Sequence, residues 1–319
     1  MKRKLGIILL LAIFLAGSLI STGFTSDSFP NKPIIWIVPG SPGGGYDTYS
    51  RVVGAALKKN LPNDVEIIVK NITGGGGVIG GSALYRSKPD GYTIGFVSYP
   101  GLWMRHLIRG VGFDLNKLVN IAQIATTPQA LFVSAKSPIT SLDDIRKKEK
   151  IKLVSTGKGL SYYAFCVIAA KLLGFKAEML TGYEGTSELI PAIMRGDGEG
   201  GIMNLPATAP YLKSGDLKAI VTFTPKRSNL CPNVPSVAEL GYEDATVIVD
   251  HKMLFGPPGL PRQIVNVYQS ALRKAYNEKK ILDWSEKTGN NIDLLIGKDM
   301  AMRLEKVKTI YQKYLDLYR

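Results

Sequence analysis

The sequence is poor in side chains that bind metals or act as nucleophiles. Histidine occurs twice, as His106 and His251, and cysteine twice, as Cys166 and Cys231. No His/Cys spacing of a metal site occurs, so neither a metal nor a cofactor is expected. No G-x-S-x-G elbow and no G-x-x-x-x-G-K-[ST] phosphate loop is present. Neither histidine falls in a nucleophile–base pattern, and no catalytic residue is assigned. Asp250 precedes His251 and would make a proton relay, but neighbours along a strand point to opposite faces. A secreted enzyme acting on an organic acid through this pair stays as an alternative. Basic runs interleaved with aromatics are also missing, which argues against nucleic acid. "RKKEK" (146–150) reads as the solvated end of a helix. Cys166 lies in the apolar, helix-like run "YYAFCVIAAKLL" and reads as a core residue, although export would permit a disulfide.

What is present starts with a leader. "MKRK" precedes "LGIILLLAIFLAGSLIS", the charged and apolar parts of a secretory signal. Small residues in "STGFTSDS" place cleavage near Gly23, so residues 1–23 are expected to be removed. The alternative is an anchor that is kept, because residues 5–20 nearly span a bilayer. Loss of Lys2, Arg3 and Lys4 takes the formal charge from +14 to +11. A basic exported protein suits anionic ligands or surfaces.

The 319 residues suit two lobes. Strand-like and helix-like segments alternate twice, before about residue 127 and again over 141–223. This predicts mostly parallel sheets with helices on both faces. Strands are expected at 34–38, 65–69, 92–97, 152–156, 177–183, 200–204 and 217–223. "IAQIATTPQALFVSA" reads as two strands with a kink at Pro128. Ser141 is expected to cap a helix in "SLDDIRKK", and three helical segments (261–277, 279–288, 298–318) close the chain. The lobes are expected at 29–130 with 250–319, and at 131–249.

Two glycine loops carry the chemistry. "GGGVIG" (75–80) matches G-x-G-x-x-G, but it does not directly follow the first strand and no acid ends the second, as a dinucleotide site requires. "VPGSPGGGYD" follows the strand 34–38 and opens a helix. Gly43, Gly44 and Gly45 let backbone amides converge on one anion at the helix N-terminus. Asp47 reads as the N-cap, turned away from that anion.

These stretches fall in a recognisable order. "FPNKPIIWIVPGSPGGGYD", "NITGGGGVIG", "PDGYTI", "YEGTSELIPAIMRGD" and "RSNLCPNVPSVAELGY" resemble the substrate-binding proteins of tripartite tricarboxylate transporters, the TctC or Bug family. The resemblance implies an α/β, two-lobed, periplasmic-binding-protein-like fold: two mixed sheets flanked by helices, with a ligand cleft between lobes. It implies a monomeric, exported receptor that captures a di- or tricarboxylate or related organic anion and passes it to membrane permease subunits. A ligand-sensing ectodomain of a signalling system is the other alternative. The loop Ser41, Gly43, Gly44, Gly45, Tyr46, Asp47 would meet a second loop over 155–163, with Ser155, Thr156, Gly157, Lys158, Gly159 and Ser161 in it. Gly76, Gly77, Ser98, Tyr99, Tyr183, Glu184, Gly185, Thr186 and Asn204 would complete the cleft. Tyr46, Lys158, Asn204 and the run Asp250-His251-Lys252 depart from the family pattern, and "PGLWMRHLIRG" is atypical.

Overall fold

The computed structural model describes residues 29–158 and 160–318; the expected leader lies outside them. The chain begins with β1 (Ile34–Val38), α1 (Gly45–Asn60), β2 (Ile67–Asn71), α2 (Val78–Tyr85), β3 (Thr93–Tyr99) and α3 (Gly101–Arg109). A long strand, β4 (Val119–Ser134), leads to α4 (Leu142–Lys147), β5 (Ile151–Thr156), α5 (Ser161–Leu173), β6 (Ala177–Tyr183) and α6 (Thr186–Arg195). Then come β7 (Gly200–Asn204), α7 (Leu205–Ser214), β8 (Leu217–Thr222) and β9 (Val249–Gly256). The chain closes with α8 (Arg262–Ala275), α9 (Lys279–Thr288), β10 (Leu295–Ile296) and α10 (Gly297–Gln312). Among the described residues no helix is long and apolar enough to cross a membrane.

Two sheets share β4. The first runs β2-β1-β3-β9-β4, and the second continues β4-β7-β5-β6, with β8 and β10 also on β4. Each sheet is mixed rather than mostly parallel. β1 pairs parallel with β2 and β3, and β5 with β6 and β7, whereas β4 and β9 run antiparallel to their neighbours. "IAQIATTPQALFVSA" therefore forms one strand, not two. It pairs with β9 as far as Pro128–Val249 and takes β7 from Gln129–Asn204 onward. Pro128 has no amide hydrogen, which suits the point where a strand changes partners. "PGLWMRHLIRG", expected to be atypical, is the helix α3, held at its ends by Met104 N–H to Pro100 O and Gly110 N–H to His106 O.

β1 is apolar on both faces because both are covered: Ile34, Trp36, Ile37 and Val38 are all buried. Trp36 packs on Phe96 with ring centres 5.2 Å apart. α1 turns Tyr49, Val53, Ala56 and Leu57 inward at helical spacing. Val53 and Leu57 each contribute about 1.5–3 kcal/mol by leaving water. A continuous core joins the sheets, from Val97, Tyr99 and Phe255 of the first to Leu153, Ile202 and Val221 of the second. Ser141 caps α4 in a full capping box with Asp144. Cys166 and Cys231 are both buried and free, and burial pushes both thiols up to about 11.

Candidate functional site

The loop after β1 is built differently from expectation. The N-cap of α1 is Gly44, which has no side chain to cap with, and Asp47 is the third helical residue. Asp47 reaches back: its Oδ2 accepts from Gly43 N–H at 2.9 Å and from Arg51 Nε–H at 2.9 Å. Burial opposes ionisation of Asp47, but the Arg51 and Gly43 hydrogen bonds outweigh it and hold the carboxyl below its ordinary value. Gly44 N–H donates to Ser41 O at 3.2 Å. Two of the three glycine amides are thus spent inside the loop. Gly45 and Tyr46 open the helix, where their amides have no intrahelical partner.

Those two residues line a cavity between the sheets. It encloses about 30 Å3, room for about two water molecules. The first sheet supplies Gly40, Ser41, Gly44, Gly45, Tyr46, Ser98 and Asp250 to its wall. The second supplies Thr156, Leu160, Ser161, Tyr162, Glu184, Gly185 and Thr186. Hydroxyls tie the two sides together. Ser98 and Ser161 Oγ lie 2.9 Å apart, and Ser161 N–H donates to Ser98 Oγ at 3.2 Å. Ser41 and Ser187 Oγ are 3.0 Å apart, and Tyr162 Oη is 2.8 Å from Thr186 Oγ1. The approach is close enough to require glycine. A Cβ on Gly101 would lie 2.2 Å from the Leu160 carbonyl carbon, and one on Gly185 2.8 Å from Ser41 Oγ.

An ion pair forms the inner wall. Lys252 Nζ donates to Asp250 Oδ2 at 2.7 Å, with both side chains almost wholly buried. Tyr46 Oη donates to Asp250 Oδ1 at 3.0 Å, and Lys252 Nζ lies 4.5 Å from the Tyr46 ring centre. Burial drives the Tyr46 phenol well above its usual value, and the Asp250 charge adds to this. His251 faces the other side of β9. Its Nδ1 is 3.1 Å from Gln123 Oε1, and it lines a separate groove with Arg303 and Tyr311. Burial lowers its pKa to about 4, with Arg303 acting in the same direction. The Asp250–His251 relay is not formed, for the reason that strand alternation gives.

Of the residues expected in the cleft, Ser41, Gly44, Gly45, Tyr46, Ser98, Thr156, Ser161, Gly185 and Thr186 meet at this cavity. Others do not. Gly43 and Asp47 bond to each other behind it. Tyr99, next to Ser98 on β3, points the opposite way and packs on Trp103 and Phe255. Gly76 and Gly77 form a turn beside Gly157, outside the wall. Ser155 is buried one step from Thr156, on the other face of β5. Lys158 lines a different groove, its Nζ 5.5 Å from the Tyr163 ring centre. Tyr183 Oη donates to Asp197 Oδ2 at 3.0 Å. Asn204 is buried behind Gly45 and caps α7, its Oδ1 accepting from Ala207 N–H at 3.1 Å. Gly159 lies outside the described residues. Sequence reasoning left out Gly40, whereas Leu160 and Tyr162 fall inside the expected second loop, 155–163, and Glu184 inside the expected stretch 183–186. It singled out Asp250 only for a relay and as a departure from the family pattern.

Comparison with known proteins agrees with this architecture. Residues 49–300 match the model of the tripartite tricarboxylate transporter family receptor, TctC. Protein BugT of Bordetella pertussis is 29% identical over 293 residues, covering 89% of this chain and 87% of its own. MatC from Rhodopseudomonas palustris, solved with bound malate, superposes with a TM-score of 0.79 at 21% identity, over 91% of this chain and 100% of that one. The periplasmic binding protein BugD gives 0.80 at 20% identity, over 91% and 97%. An R. palustris protein solved with adipate gives 0.79 at 20% identity, over the same shares of each chain. With the receptor model matching most of its length, this chain belongs to the TctC family of tripartite tricarboxylate transporter receptors.

Proposed function

We propose that the protein is an exported receptor that closes two lobes, 29–130 with 250–319 and 131–249, on a small organic acid. It then delivers the acid to the permease subunits of a tripartite transporter. The observation that carries this is the cavity at the N-terminus of α1, walled by hydroxyls from both sheets. A carboxylate there would accept from the Gly45 and Tyr46 amides at the positive end of the helix. Ser41, Ser98, Thr156 and Ser161, which line the cavity, would complete its shell. Malate and adipate, the acids held by two relatives in fold, carry the carboxylate that such a grip would hold. The charged and apolar start of the sequence supports export.

Calorimetric titration of a bound acid against its amide analogue tests the grip. The acid is expected to bind at least about tenfold more tightly, as charge-assisted bonds contribute about 1.5–3 kcal/mol. Equal affinity for the two would remove the carboxylate from the account.

A further inference from the structure

The polar groups that the cavity leaves without partners are of opposite character. Glu184 lines it just ahead of α6, and its Oε2 is buried with no hydrogen-bond partner among the described residues. Thr156 is 0% exposed and lines the same cavity, and its Oγ1 is likewise without a partner. Unmade bonds of this kind are costly in a low-dielectric interior, and a ligand that makes them gains accordingly. Thr156 offers a hydroxyl hydrogen; ionised Glu184 offers only an acceptor.

Charge sharpens the contrast. Two acidic residues, Asp250 and Glu184, line the cavity, and no lysine or arginine is among the described residues that line it. Lys252 lies behind the wall, beside Gly45. It is fully buried and already holds Asp250 at 2.7 Å. The pair is neutral, which leaves Glu184 as the uncompensated charge. A second carboxylate on the ligand would meet this acid in a partly desolvated space, where like charges repel strongly. An ammonium group would meet an acceptor with a free lone pair.

We infer that the ligand is a zwitterion, an amino acid or close relative, with its carboxylate at the α1 N-terminus and Thr156 and its ammonium against Glu184. The inference rests on the receptor reading above and names the substrate class of the same site. Burial raises the Glu184 carboxyl above its ordinary value, against the pull of the Gly74 amide and with help from Glu188. A ligand cation beside it restores the ionised form. Plain di- and tricarboxylates are then poor ligands, although the cavity holds the parts to grip one carboxylate.

Thermal-shift and calorimetric titration of the purified protein would use the common amino acids together with succinate, malate and citrate. For each amino acid that binds, its des-amino acid and its amide are added. At least one amino acid is expected to raise the Tm, and its des-amino counterpart to bind at least about tenfold more weakly. Glu184→Gln, a part-buried change next to a helix start, is expected to erase that preference while the des-amino acid binds as before or better. A plain dicarboxylate that binds more tightly than every amino acid would overturn the zwitterion and leave the receptor standing. An unchanged preference in Glu184→Gln would overturn the ammonium seat alone. An amide that binds as tightly as its amino acid would remove the carboxylate grip and keep the seat. Failure of every compound to bind would remove both readings.

Discussion

The two glycine loops are nearly alike in composition and opposite in purpose. In the loop at the mouth of α1 only Gly43 has a left-handed backbone, with φ +76°. Gly44 sits at an ordinary φ of −73°. What it and Gly45 supply is room. A Cβ on Gly44 would lie 3.1 Å from Ser41 O, and one on Gly45 2.9 Å from Asn204 Nδ2 and 3.4 Å from Lys252 Nζ. In the other loop, Gly74, Gly75, Gly76 and Gly77 all have positive φ, from +59° to +103°. There glycine is needed for the path of the chain. That path presents Gly75 O to Arg105 Nη1 at 2.8 Å and brings Gly76 beside Gly157 of the second sheet. Glycine used for space marks the cavity; glycine used for conformation shapes the loop next to it.

The contrast is open to direct test. Gly45→Val should have the largest effect. It pushes two methyls beyond the Cβ toward the buried Asn204 and Lys252, and overpacking of this kind costs about 1–3 kcal/mol. Calorimetry should show ligand affinity reduced about ten- to hundredfold. Retained affinity would mean that the first loop does not need the space. Gly76→Ala should invert the pattern. A side chain at φ +62° costs about 1–2 kcal/mol in backbone strain, so the Tm should fall by a few degrees, with affinity within about twofold of wild type. A large loss of affinity without loss of Tm would put this loop in the binding wall after all.

The smallest effect concerns acid. The Asp47 carboxyl is depressed in the folded protein. Its stabilisation is full above about pH 4, the unfolded carboxylate value, and is lost as pH falls through the lower folded value. Asp47→Asn should therefore lower the Tm at neutral pH and converge on wild type in strong acid. A constant gap between the two at every pH would assign Asp47 a purely packing role.

Much of the fold was legible because local signals and the final structure agree. The strands at 34–38, 177–183 and 200–204 and the helix at 161–173 lie where their apolar patterns put them. The site was legible in part. Gly45 opens the helix after β1 and Ser98 lies near the end of β3, adjacent parallel strands of one sheet, and that edge holds the cavity. The alternation rule, applied to Ser98 and Tyr99, would have excluded Tyr99. Asp250 was harder to place. Its presence on the cavity wall depends on β9 pairing Asp250 with Thr127 where β4 passes between sheets, and no local pattern encodes that register. The helix α3 hid behind "PG", which reads as a break, yet its N-terminal glycine is what lets α3 approach the second sheet.

The sharing of β4 has a consequence for how the molecule comes apart. Its amides and carbonyls between Val119 and Ser134 are bonded in turn to β9, β7 and β8. Neither sheet is able to melt without stripping partners from the strand that the other sheet needs. The core that runs across both sheets adds to that coupling. Opening of the cleft would then be a bending of a common spine, while loss of structure would be all-or-none. Heated without ligand, the protein should lose both halves in one calorimetric transition, and the amides of β4 should exchange with solvent only at the rate of global unfolding.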